Sequence, residues 1–159
     1  MTTGSGSLFS AVDATLGYLY QVRSALLWAL RRQKLEPDFL VSVETLDDVT
    51  FETAVGNPTD LLQTKHHRKG SASLTDASPD LWKTLRIWFE GHMSGQISST
   101  ANLYLVTTSV APDGTAASRL RAAKRDLAAA QHALDATAAS STNQTNTSAY
   151  AAYLKPTPT

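Results

Sequence analysis

At 159 residues and 17.1 kDa, the chain has the length of one ordinary domain, and two large modules do not fit within it. Hydrophobic residues make up 42% and eight glycines extend the apolar share, which is enough for a packed core and excludes wholesale disorder. Fourteen Lys and Arg balance fourteen Asp and Glu, so no global positive field holds a polyanion at long range and any nucleic-acid contact must rest on local patches.

From Leu8 to Lys34, residues Leu8, Phe9, Val12, Leu16, Leu19, Val22, Leu26, Ala29 and Leu30 recur at three- and four-residue steps. That period predicts a long amphipathic helix, ending near Leu35, with basic Arg31, Arg32 and Lys34 at its carbonyl-rich end and Pro37 beyond. Phe39 to Glu44 and Val49 to Val55 are short, β-branched runs around Asp47-Asp48, and Asp60 to His67 follows the Gly56-Asn57-Pro58 turn. These predict three strands in an antiparallel meander. Ser78-Pro79-Asp80 marks the start of a second helix running to about His92, and Ala101 to Val110 reads as a further strand. Ala116 to Ala139 is rich in Ala, Leu, Arg and Lys and is expected to be helical on propensity. The stretch 140–159 carries one charge, Lys155, among Ser, Thr, Asn, Ala and Pro, and is expected to be a flexible tail or a truncated boundary, leaving 8–139 as the folded domain.

The chain has no cysteine, which excludes a disulfide framework and thiolate metal sites and fits a reducing compartment. Neither a basic leader nor an apolar run of membrane-spanning length is present. A cytoplasmic protein without membrane association is expected.

Gln63 and Lys65 stand two apart on the third predicted strand, so the pleat points both to one face while Leu62 and Thr64 point to the other. A lysine among Leu61 and Leu62 needs an anionic companion or a task, and Glu44 and Asp48 on the preceding hairpin can supply one. Phosphodiester hydrolysis uses parts of this kind: carboxylate oxygens for Mg²⁺, a carbonyl oxygen to complete its shell, and a cation to stabilise charge on the phosphorane. Asp48, fifteen residues before Gln63, leaves room for a strand, a turn and the start of the next strand.

Acidic hairpin, Q-x-K strand, helix and further strand, in that order, resemble the PD-(D/E)xK, or restriction-endonuclease-like, superfamily in its D…Q-x-K, Mrr-type variant. More specifically, Gly17-Tyr18-Leu19-Tyr20-Gln21, Glu44 to Val49, Gln63-Thr64-Lys65-His66-His67, Ser73 to Asp76 and Asp80 to Leu85 resemble the double-stranded DNA endonuclease domain of bacterial anti-phage systems. In that family the domain stands at the N-terminus of CBASS effector nucleases and of partners of hexameric translocase ATPases. The resemblance covers about Ser10 to Arg121. It implies an α/β fold, a mixed sheet flanked by helices in the order α-β-β-β-α-β-α, and a metal-dependent DNA endonuclease using Mg²⁺ or Mn²⁺. It implies Asp48 as principal metal ligand, Gln63 as the polar residue in place of the usual acid, Lys65 as catalytic lysine, Glu44 as auxiliary acid and Gln21 as a supporting group. A homo-oligomer is expected, so that both strands are cut, together with an ATPase or sensor domain in cis or in trans.

Plainer readings compete for the same residues. Asp47 is expected to cap the local turn, and His66-His67 is a solvated strand end, since adjacent strand residues face opposite ways. Arg68 and Lys69 either touch DNA phosphates or stay solvated. Trp82 and Trp88 read as core, and Arg119, Arg121, Lys124 and Arg125 as the charged face of an Ala-rich helix. The rival to the nuclease is a catalytically silent, nuclease-like module that docks an ATPase or sensor partner through the 116–139 helix.

Overall fold

The computed structural model describes residues 5–66, 72–123 and 125–155, in an α/β arrangement with one four-stranded mixed sheet. The chain divides into two compact units, Met1–His66 with Thr100–Val106, and His67–Ser99 with Thr107–Thr159. Among the described residues no helix is long and apolar enough to cross a membrane.

The first unit begins with helix α1 (Ser5–Arg32). The large apolar residues whose spacing predicts this helix are not the ones that cover the sheet. Ser24 and Ala25 are buried, with Gly17, Gln21, Trp28, Ala29 and Arg32 half-buried, whereas Val12, Leu16, Leu19, Val22, Leu26, Leu27 and Leu30 are all at least 37% exposed. Periodicity identifies a helix without saying which stripe faces the sheet, and here small residues allow close approach of helix to strand.

Strands β1 (Phe39–Val43), β2 (Val49–Thr53) and β3 (Pro58–Lys65) form the expected antiparallel meander. β4 (Asn102–Thr107) joins it in the order β1-β2-β3-β4. β2 stops two residues short of the expected Val55, because Thr53 and Gly56 close the turn, Gly56 adopting φ 83°, a conformation that costs glycine little. Ala25 packs with Val49, Phe51 and Leu62, and Trp28, Phe39, Val43, Tyr104 and Val106 close around them. α1 thus covers the sheet face that bears Leu62.

At the end of α1, Arg32 donates to Asp60 on β3 and to Glu36, while Asn102 on β4 donates to the other oxygen of Asp60 at 3.0 Å. Burial pushes the Asp60 carboxyl up, but hydrogen bonds from Arg32, Asn102 and Thr59 and the charge of Arg32 outweigh it and hold the group below 3.8. The ionised form is therefore favoured by folding, so this stabilisation is present above about pH 4 and is lost as pH falls through the lowered value. Asp60→Asn is expected to cost about 1–3 kcal/mol at pH 7 and progressively less toward pH 3. Urea midpoints across pH 3–7 measure this, and a pH-independent difference contradicts it.

In the second unit, α2 (Pro79–Met93) starts with proline at its first turn, as expected, but Ser78 at the cap position makes no side-chain capping bond. Trp82 is fully buried. Its indole N–H donates to the Asp76 carbonyl, and Tyr150 and Tyr153 meet its ring edge-on at 4.5 and 5.5 Å. The expected core role of Trp82 holds, and Trp88 is half-buried.

Two expectations fail in this unit. The helix expected over 116–139 is broken into α3 (Ala116–Arg119) and α4 (Leu127–Ser140). Asp126 caps α4 by accepting from Ala129 N–H, and Arg121 donates to the Ala111 carbonyl. A side-chain cap within the run overrides alanine propensity. The stretch expected to be a flexible tail instead forms a 3₁₀ turn (Gln144–Asn146) and α5 (Thr147–Tyr153). Buried Asn146 donates to the Ala77 carbonyl and to Tyr150 Oη, which donates to Ser141 Oγ. Low charge marks this segment as one that packs on α2 through its aromatics.

Candidate functional site

The β1–β2 connection, residues 44–48, is closed by the Glu44 N–H donating to the Asp48 carbonyl at 3.2 Å, with Glu44 held at φ 58°. The antiparallel register that pairs Val49 with Leu62 continues to set Asp48 opposite Gln63. Strand alternation turns Leu62 toward α1 and sends Gln63 and Lys65 to the opposite face.

The side chains at this end of β3 form a connected cluster. Gln63 Nε2 donates to Asp47 Oδ1 at 2.5 Å and to Asp48 Oδ1 at 2.8 Å. Asp48 Oδ2 accepts from the Thr64 N–H at 2.7 Å and from Thr64 Oγ1 at 2.8 Å. Lys65 Nζ donates to Gln63 Oε1 at 2.6 Å. Asp47, Gln63 and Thr64 are buried, and Asp48 and Lys65 half-buried. Asp48, Gln63 and Lys65, predicted as site residues, are thus joined by hydrogen bonds through Gln63. The companion of Lys65 is an amide oxygen rather than a carboxylate.

Two predicted members do not join them. Glu44 is exposed, and among the described residues it enters through its backbone N–H. Gln21 lies on α1, across the sheet from Gln63 and Lys65, and its Oε1 is buried without a hydrogen-bond partner among the described residues. His66 stacks on Tyr20 with ring centroids 4.8 Å apart, while His67, Arg68 and Lys69 fall outside the described residues.

Asp47 and Thr64 are the members that sequence reasoning misses. Asp47 does serve the turn, accepting from the Asp48 N–H at 2.9 Å, but its second role toward Gln63 is invisible without the register. Extending that register places 47 opposite 64, which is the signal that could have found both.

Among the described residues no group of three or more His, Cys, Asp or Glu stands together to hold a metal ion. The donor set nevertheless suits a hard cation. Two carboxylate oxygens converge on one atom, Gln63 Nε2, and Mg²⁺ sites commonly draw only one or two carboxylates from the protein and fill the rest with water and phosphate oxygens. Asp47 and Asp48 would hold such a cation, with the amide oxygen of Gln63 as a further ligand. A cavity of about 250 Å³ beside Trp28, Arg32, Phe51 and Asp60 shares none of these residues. No family model, no curated protein and no solved structure matches the chain.

Proposed function

We propose that the chain is a metal-dependent double-stranded DNA endonuclease with a restriction-endonuclease-like fold, acting in the cytoplasm as an effector of bacterial anti-phage defence. The element order α-β-β-β-α-β supports the fold assignment. The observation that carries the activity is the convergence of Asp47 and Asp48 on Gln63 with Lys65 beside it.

A bound Mg²⁺ or Mn²⁺ would supply Lewis-acid charge to the scissile phosphate and to a water molecule. Asp47 and Asp48 hold the cation's charge, and Thr64, by donating twice to Asp48 Oδ2, fixes the orientation of that carboxylate. Gln63 has an amide oxygen that would serve as a further ligand, and Lys65, at present donating to that oxygen, would be the cation placed to stabilise negative charge on a non-bridging phosphate oxygen.

The docking-module reading draws on one specific observation: both oxygens of Asp48 already accept protein donors, an arrangement that stands as a structural network without a metal. Isothermal titration with Mn²⁺ separates the two. The nuclease reading expects saturable binding that is lost in Asp48→Ala, and metal-dependent plasmid cutting abolished by EDTA. Absence of metal binding in a folded wild-type chain overturns it in favour of docking.

A further inference from the structure

Helix α1 presents two faces of different chemistry. Toward the sheet stand Gly17, Gln21, Ser24, Ala25 and Trp28, while the opposite side carries exposed Val12, Leu16, Leu19, Leu26 and Leu30. With Arg23, these outward positions form two interleaved sets seven residues apart, Val12, Leu19 and Leu26 with Leu16, Arg23 and Leu30, the pattern of a seam along which one helix meets another. Val22 and Leu27, also exposed, flank the seam on its two sides.

We propose that α1 pairs with α1 of a second copy of this chain as an antiparallel two-stranded coiled coil whose two-fold axis crosses the seam midway between Leu19 and Arg23. The seam is self-complementary about that point. Val12 meets Leu30 of the partner subunit, Leu16 meets Leu26 of the partner subunit, and Leu19 meets Arg23 of the partner subunit. Charge selects the direction. A parallel, in-register pair sets Arg23 against its own copy in the middle of the seam, two like charges in a partly desolvated layer. The antiparallel pair gives each arginine stem an aliphatic neighbour and leaves its guanidinium at the edge in water.

The area is adequate. Seven apolar residues, each 37–60% exposed, offer roughly 500 Å² per protomer if wholly covered, or about 1,000 Å² across the two-fold, the lower limit for a specific interface. An exposed apolar stripe of this length on a monomer is otherwise a liability. This inference does not rest on the endonuclease reading, since none of its residues belongs to the Asp48 cluster.

Because the chain has no native cysteine, crosslinking tests the arrangement directly. Leu19→Cys and Arg23→Cys are purified separately, then oxidised alone and mixed. The antiparallel seam yields a disulfide dimer only in the mixture. Self-crosslinking of Leu19→Cys alone, or no crosslink in any combination, overturns it. Sedimentation of the wild-type chain at up to about 100 µM is expected to show a dimer, and Leu19→Glu with Leu26→Glu is expected to weaken it at least ~100-fold with unchanged circular dichroism and thermal midpoint. A wild-type monomer overturns the proposal. So does loss of helical signal in the double variant, which would mean that the seam is buried within one protomer.

Discussion

Lys65→Ala is expected to reduce metal-dependent plasmid cutting by about 10²–10³-fold, the usual loss when one preorganised donor to a developing negative charge is removed. The ammonium donates to the Gln63 amide oxygen, and Lys65 is half-buried at a strand end. On the endonuclease reading, that charge would act on the scissile phosphate. DNA affinity in the same variant is expected to stay within a few-fold of wild type, because total affinity sums many phosphate contacts. Lys65→Met keeps the aliphatic stem and separates loss of charge from loss of packing. Single-turnover cleavage beside filter binding reads both quantities, and full cutting by either variant removes Lys65 from the chemistry.

The second large effect is structural. Trp82→Ala is expected to cost about 3–5 kcal/mol, a large fraction of the 5–15 kcal/mol that holds an ordinary domain together. The ring is fully buried, and its loss leaves Tyr150 and Tyr153 without the surface they meet edge-on. The Asp76 carbonyl that accepts its N–H also loses a partner. Trp82→Phe retains most of the apolar contact and forfeits the hydrogen bond, for an expected cost of about 1–3 kcal/mol. Urea denaturation followed by circular dichroism measures both, and an unchanged midpoint for Trp82→Ala contradicts the packing described.

Much of the first unit is legible in the sequence because its signals are local. Alternation in Val49–Thr53 and Pro58–Lys65, with turn residues between them, yields the meander, and a spacing of two puts Gln63 beside Lys65. What is not legible depends on which neighbour a residue meets. The stripe Val12, Leu16, Leu19, Leu26 reads as a core face, yet Ala25 and Trp28 take that place. Asp47 reads as a turn residue and Thr64 as pointing away, because pairing register is a property of two strands at once. In the second unit, alanine content promises one helix where Asp126 imposes a boundary. The low charge of residues 140–155 reads as disorder until Trp82 is known to await Tyr150.

The hydrogen bonds that assemble the Asp48 cluster join residues 16, 15 and 2 positions apart. Closing loops of that length costs little chain entropy, and contacts of low sequence separation form fast. The cluster therefore comes together with the β2–β3 hairpin, at a stage of synthesis when α2 and everything after it have yet to leave the ribosome. The geometry of the cluster is thereby set early and locally, by one hairpin. On the endonuclease reading, restraint has to be exercised from elsewhere, on the approach of DNA or of a second copy to a hairpin that is already complete.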